Sequence, residues 1–283
     1  MLRELFSDLE TGRISGAHGH MNVPQVFPSP QAVDYSSPSA VKRLGVIALA
    51  TDLTSERDFA RIIPLEKAGL HTTRVHYENP TTPENLRKMA PRLQAAADLI
   101  LPGVALDAIC FSCTSASVVI GDREVAAAIN AARPGVPVVT PTSAARLALT
   151  ALKAERIAVL TPYLVETSEP MAAYFHAHGF DIARFECFGL QDDRDMARIT
   201  GKTLVEAVLR LDEPATEAFF ISCTALQSAE VVAEIEARTG KAVITSNQAS
   251  AWAMMRHAGL DEPVGGYGRL FELALPKRPV EVA

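Results

Sequence analysis

The tripeptide Ser-Cys-Thr occurs twice in this sequence, each time at the end of an apolar run. Ser112-Cys113-Thr114 follows Asp107-Ala108-Ile109, and Ser222-Cys223-Thr224 follows Glu217-Ala218-Phe219. Short apolar runs bounded by polar residues read as buried strands. Small residues and then a helical pattern come after each copy, so each cysteine is expected where a strand ends and a helix begins. The surroundings repeat as well. Arg43-Leu44-Gly45-Val46-Ile47 is matched by Arg156-Ile157-Ala158-Val159-Leu160, Ala68-Gly69-Leu70 by His178-Gly179-Phe180, and Val138-Val139-Thr140 by Val243-Ile244-Thr245. Anchors in one order, each about 110 residues on, mark a duplicated unit. Each unit reads strand, helix, strand, helix, cysteine strand, helix, strand. Such alternation implies an α/β fold with parallel sheets. The expected architecture is two pseudo-symmetric, doubly wound, flavodoxin-like lobes with four-stranded parallel sheets and the active site between them. A two-fold duplication brings equivalent strand ends together, so both cysteines are expected to face one cleft.

The bulk properties exclude several classes. With 283 residues the chain suffices for one large domain or two ordinary ones. A net charge of −6 lacks the basic stripes of a nucleic-acid surface. No apolar run approaches the roughly 18 residues of a membrane span. The start, MLRELFSDLETGR, lacks the layout of a secretory signal. Four cysteines in a chain this long do not form a disulfide scaffold, and free thiols fit a reducing cytoplasm. No phosphate-binding loop, HExxH or cofactor lysine is found, and Gly265-Gly266-Tyr267-Gly268 comes too late for a dinucleotide loop. No cofactor and no metal are expected. His18 and His20 form an isolated His-x-His, too little for a metal site.

Residues 1–40 stand outside the repeat and read as a short helix followed by an extended, proline-rich arm. The first strand is expected over 44–50 and the first helix over 57–68. A second strand over 72–77 and one helix over 83–101 precede the first cysteine strand. Helices over 122–132 and 144–153 flank a strand at 136–140. The second lobe opens with a strand at 156–160 and a loop Thr161-Pro162-Tyr163. Cys187 is placed in the core of a strand over 182–188, a loop is expected over 191–195, and the last helix spans 249–258. Ligands of doubly wound sheets bind at the carboxyl ends of strands. Thr51 and Asp52 stand there in the first lobe, Asp52 with a turn or capping role as the alternative.

Cys110 and Cys113 form a Cys-x-x-Cys, yet Phe220 takes the place of Cys110 in the second copy. That position therefore wants an apolar core residue, and the odd spacing points the two side chains to opposite faces of a strand. Cys113 and Cys223 differ from it. A cysteine at a helix N-terminus has its thiol pKa lowered from about 8.5 toward neutrality. Thr114, Ser115 and Thr224 add hydroxyl donors. Two thiols facing one cleft suit proton transfer or addition at both faces of one small substrate.

The paired cysteine motifs on a duplicated α/β unit resemble the aspartate/glutamate racemase superfamily. Thr161-Pro162-Tyr163, Ser222-Cys223-Thr224 and Trp252 after Ser246-Asn247-Gln248 look like its maleate cis–trans isomerase branch. The stretch from Ala50 to Glu56, with Gln191-Asp192-Asp193-Arg194, is most similar to the ectoine-utilisation protein A subgroup. The resemblance covers roughly residues 42–275 and implies a cofactor-independent two-cysteine isomerase or racemase acting on a small carboxylate. Cys113 would be nucleophile or first base and Cys223 the partner acid/base. Thr51, Asp52, Thr114, Ser115, Tyr163, Asp193, Thr224 and Ala225 would bind substrate, with Tyr163 on a carboxylate. In maleate isomerases the first cysteine is taken to add to the double bond. An amino-acid or hydantoin-type racemase and a non-catalytic carboxylate binder are the alternatives. The decarboxylase branch keeps only the second cysteine, so Cys113 argues against it. Asp52 and Asp193 stand where the isomerase branch has asparagines, which favours a nitrogen-containing carboxylate over maleate. By the same analogy lobe 1 comprises 41–141 and 250–283, lobe 2 comprises 142–249, and the chain forms a homo-oligomer, a dimer or tetramer.

Overall fold

The structure is a computed structural model that describes residues 24–35 and 41–277. His18, His20 and most of the expected arm lie outside the described residues. Contacts divide the chain after Pro38. In the first unit, residues 24–35 are exposed and form no helix or strand.

The second unit carries two four-stranded sheets with all strands parallel. The first contains β1 (Lys42–Leu49), β2 (Ala68–Val75), β3 (Ala108–Phe111) and β4 (Val138–Val139), in the order β2-β1-β3-β4. The second contains β5 (Arg156–Tyr163), β6 (Asp181–Leu190), β7 (Ala218–Ile221) and β8 (Ala242–Thr245), in the order β6-β5-β7-β8. The identical order bears out the duplicated α/β unit. In β1, Leu44, Val46 and Ala48 enter one buried cluster while Ile47 and Leu49 enter the other. Burial on both faces is what helices on both sides of a parallel sheet require, and it explains the unbroken apolar runs. Period-two alternation also separates Cys110 from Cys113: they pack into different clusters.

The helices in chain order are α1 (Ser55–Ile62), α2 (Pro83–Arg87), α3 (Leu93–Asp98), α4 (Thr114–Ile120), α5 (Asp122–Ala132), α6 (Pro141–Leu152), α7 (Val165–Ala177), α8 (Asp193–Met196), α9 (Gly201–Arg210), α10 (Val232–Thr239) and α11 (Ser246–His257). Two expected helices are shorter than the sequence pattern suggested. The first ends at Ile62 because Pro64 forbids continuation, and β2 then starts at Ala68. The expected helix over 83–101 breaks into α2, a 3-10 turn at Ala90–Arg92 and α3, since Pro91 lacks the donor a continuous helix needs. Cys187, expected in the core, is only half-buried because β6 is an edge strand.

α6 and α11 join the halves. α6 leaves β4 of the first sheet and packs on β8 of the second. α11 leaves β8 and packs on α1, β3 and β4 of the first. Each opens with the same capping box: Thr140 with Ser143, and Thr245 with Gln248. α11 is buried from Ser246 to Arg256, polar residues at both ends included. Its Trp252 Nε1 donates to the Leu273 carbonyl at 2.9 Å, which ties down the C-terminal strap. Gly268 in that strap has φ 77°, and a Cβ there would lie 2.6 Å from Val232 Cγ1. Of the glycines near the end, Gly268 thus serves close packing against α10.

Candidate active site

β1 and β3 are neighbours whose connections leave in opposite directions, and so are β5 and β7. The crevice at such a switch point is where doubly wound sheets bind ligands. Here the crevices of both sheets share one cavity. Cys113 from the end of β3 and Cys223 from the end of β7 both line it. Asp52, Ser115, Tyr163, Asp193, Thr224 and Ala225 line it too. Thr51 and Thr114 do not. Their hydroxyls are turned to protein partners, Thr51 Oγ1 to Asp193 Oδ2 and Thr114 Oγ1 to Ser246 Oγ at 2.8 Å.

The two cysteines are held differently. Cys113 is the N-cap of α4 with ordinary extended dihedrals, φ −152° and ψ 112°. Its sulfur lies 3.8 Å from Ser115 Oγ. Cys223 has φ 106°, a strained value for an L residue. No α-helix starts there, contrary to the sequence expectation. A turn leads instead to a 3-10 segment, Ser228–Val231, and only then to α10. The Ala225 N–H donates to Cys223 Sγ at 3.4 Å.

The expectation of acidic thiols is also corrected. Burial pushes both thiols up to about 12. For Cys113 the Ala116 N–H and Ser115 pull the other way, and for Cys223 Tyr163 and the Ala225 N–H do so, without reversing the sign. Desolvation wins because each sulfur is almost wholly enclosed, and the negative charge of Asp193 adds to it. Cys110 rises for the same reason, and its sulfur turns toward Ser250, away from the cavity. Tyr163, expected in a loop, is the last residue of β5, because the strand continues to pair with β6 as far as Leu190. Burial first, then the nearby cysteines, raise its phenol well above the ordinary value.

Asp52 is both lining and cap. Its Oδ1 accepts the Thr54 and Ser55 N–H groups at 2.8 Å each, and its Oδ2 accepts the Ser55 hydroxyl at 2.6 Å. Burial nevertheless raises its carboxyl above the usual value. Asp193 reaches across from the head of α8. Its Oδ1 accepts from Asn79 Nδ2 at 2.7 Å and its Oδ2 from Thr51 Oγ1. Asp192 pairs with Arg194, which holds its carboxyl down at about 2.

Several lining residues were not anticipated. Tyr77 and Thr81, from the segment after β2, face the cavity and share a 2.6 Å hydrogen bond between their hydroxyls. The strand-end rule applied to β2 would have found Tyr77. Leu49, Leu86 and Met196 supply an apolar wall. Among the described residues no lysine or arginine lines the cavity. Among the described residues no group of three or more histidine, cysteine or acidic side chains is arranged to hold a metal ion. No helix among them is long and apolar enough to cross a membrane.

Comparison with known proteins adds four relationships. A family model described as arylmalonate decarboxylase matches residues 82–271. A maleate isomerase of Nocardia farcinica is 28% identical over 241 residues, 81% of this chain and 95% of that protein. A solved structure of a maleate cis–trans isomerase from Nocardia farcinica superposes with a TM-score of 0.73 at 26% identity, over 82% of this chain and 98% of that one. That relative is a cysteine-to-serine mutant with a covalently bound succinylcysteine intermediate. The maleate isomerase Iso of Pseudomonas putida S16, crystallised with maleate, shares the fold at a TM-score of 0.76 and 22% identity, over 83% of this chain and 99% of that one.

Proposed function

The chain belongs to the arylmalonate decarboxylase family, and on that premise we propose that it is a cofactor-independent isomerase using Cys113 and Cys223 on a small carboxylate. The observation that carries this reading is the pair of cysteines, from equivalent strand ends of the two lobes, lining one cavity.

Both thiols are neutral at pH 7, which fixes how the chemistry balances. A thiol adds across a carbon–carbon double bond by forming one C–S and one C–H bond. Cys113 supplies the sulfur. Cys223 gives its proton to the neighbouring carbon and takes up the proton that Cys113 releases. The carbon–carbon bond is then single and turns. Return of the carbon-bound proton to Cys223, with the Cys223 proton passing back to Cys113 as its sulfur leaves, restores the double bond in the other geometry. The succinylcysteine of the Nocardia relative has the composition of such an adduct. Tyr163, Tyr77, Ser115 and Thr224 bring hydroxyl groups to the cavity wall and hold the carboxylate.

Charge selects the substrate. Asp52 and Asp193 line the cavity and no lysine or arginine among the described residues does, so the charged side chains described there disfavour a dianion. We therefore assign a substrate with one carboxylate and one nitrogen-bearing group, the class to which acids derived from ectoine belong. The test is proton NMR in D₂O, with maleate, amino-substituted acids and ectoine-derived acids offered in turn. Isomerisation or deuterium incorporation is expected, faster on a nitrogen-bearing acid than on maleate. Cys113→Ser and Cys223→Ser are each expected to lower turnover by about 10³-fold or more. A protein that converts none of these acids, yet binds one equally well with either serine variant, would be a carboxylate binder and not an isomerase.

A further inference from the structure

Behind Cys223 lies a buried carboxylate to which the two-thiol chemistry gives no task. Asp58 stands on α1, on the first-sheet side, and is 1% exposed. Its Oδ2 accepts a hydrogen bond from Asn247 Nδ2 at 2.8 Å. The same amide nitrogen donates to the Thr224 carbonyl at 2.9 Å. Asn247 is the second residue of α11 and is fully buried. Thr224 follows the strained Cys223 directly.

A turn with φ 106° at a cysteine has to be held from outside. Four hydrogen bonds do so. The Cys223 N–H donates to Ser246 Oγ at 3.0 Å, and Asn247 holds the Thr224 carbonyl. Thr54 Oγ1 donates to the Ala225 carbonyl at 2.7 Å, and Thr224 Oγ1 donates to the Ser112 carbonyl at 3.2 Å. Of these anchors, only the asparagine can turn over and exchange donor for acceptor. What prevents it is the pairing of a carbonyl with a carboxylate. Both accept and neither donates, so both protons of the amide are claimed. A turned amide would set its oxygen against two acceptors.

The arrangement is poorly made for stability alone. Asp58 Oδ1 and Asn247 Oδ1 have no hydrogen-bond partner. The nearest cation, Arg57 Nη2, is 3.6 Å from Asp58 Oδ1 and is shared with Gln227 and Glu230. Buried, half-satisfied polar pairs call for a reason other than packing. We infer that Asp58 is a positioning residue that acts through Asn247 to fix the Cys223–Thr224–Ala225 turn, and with it the aim of the Cys223 thiol and of the Ala225 N–H that points at it. Only the kinetic arm of its test rests on the proposed isomerase activity.

The experiment compares the two cavity cysteines within one protein. Asp58→Ala, Asp58→Asn and Asn247→Ala are alkylated with iodoacetamide, and each cysteine is followed separately by peptide mass. Asp58→Ala and Asn247→Ala are expected to change the Cys223 rate by about tenfold while Cys113 stays within about twofold. Asp58→Asn retains one acceptor for Asn247 and is expected to bring the Cys223 rate back to within about threefold of the parent. On substrate, kcat falls by about 10–100-fold in Asp58→Ala with KM nearly unchanged, the signature of a misplaced group. Should Asp58→Ala fail to fold, Asn247→Ala carries the same comparison. Equal changes at both cysteines, or none at either, would overturn the assignment. Inactivity of the parent on every acid would leave the alkylation comparison standing.

Discussion

Replacing Asp58 by asparagine is expected to stabilise the fold at neutral pH. Burial pushes the Asp58 carboxyl from 3.8 up to about 6, with Asn247 and Arg57 pulling against it. A carboxyl that binds its proton more tightly in the native than in the unfolded chain makes the fold less stable as pH rises between those two values. The stability it withholds is fully lost above about pH 6 and fully present below about pH 4. That interval corresponds to about 3 kcal/mol at neutral pH. Asparagine keeps the shape, cannot ionise, and puts an amide nitrogen in place of the carboxylate oxygen that has no partner. It gives up the attraction of Arg57 and Arg61, whose side chains are 39% and 50% exposed, so that loss is small. The expected net gain is about 2 kcal/mol near pH 7.5, shrinking toward zero near pH 4. Glu230, on the 3-10 segment, repels the Asp58 carboxylate, so loss of that charge adds a little to the gain. Urea denaturation at both pH values, with the slope compared to verify an unchanged unfolding transition, measures it. An asparagine variant less stable than its parent near pH 7.5, or a difference equal at the two pH values, would refute the reasoning.

Three further outcomes follow from the site. Alkylation of Cys113 and Cys223 in the substrate-free protein should climb by about tenfold per pH unit through pH 10, because burial raises both thiols; a plateau near neutrality would show an activated thiolate instead. Tyr163→Phe should lower kcat/KM by about 10–100-fold and slow alkylation of Cys223, since the phenol favours the Cys223 thiolate; an unchanged Cys223 rate would count against that contact. Asp193→Asn should shift selectivity toward maleate by about tenfold and make both thiols more reactive, because its charge opposes both thiolates; unaltered selectivity would remove Asp193 from substrate choice.

The parts of the fold that repeat were legible in the sequence, and the parts that cross between repeats were not. Duplicated apolar strands and the strand-end rule were enough to bring Cys113 and Cys223 to one cavity. Phe220 opposite Cys110 correctly set the first cysteine of Cys-x-x-Cys in the core. The helix breaks at Pro64 and Pro91 were written in the chain and were overridden by the apolar pattern around them. The thiol pKa values came out with the wrong sign because a strand end does not reveal how completely a cavity is enclosed. Asp58 and Asn247 are 189 positions apart. Their contact exists only because α11 leaves the second sheet and lies against α1, and no local pattern encodes that. Asp193 meets Thr51 and Asn79 by the same kind of crossing, which turns a loop acid into a bridge between the lobes.

That crossing gives the site its asymmetry. Cys113 is supported by its own lobe: an ordinary backbone, the short helix α4 and Ser115. Cys223 belongs to the second sheet, but much of what restrains its turn comes from the first: Thr54, Ser112, and Asp58 through Asn247. If the lobes moved apart, the first thiol would keep its backbone and Ser115, and the second would lose its anchors. A sulfur that forms and breaks a bond to carbon needs a well-kept position relative to its own helix. A sulfur that delivers a proton needs to be aimed at the carbon beside it, and only when the cleft is assembled. The division of work proposed here, Cys113 for addition and Cys223 for the proton, matches that difference in support. It also accounts for the divergence of the two Ser-Cys-Thr copies after the cysteine. A helix follows directly after Cys113, the proposed nucleophile, and a strained turn held across the cleft follows at Cys223, the proposed proton donor.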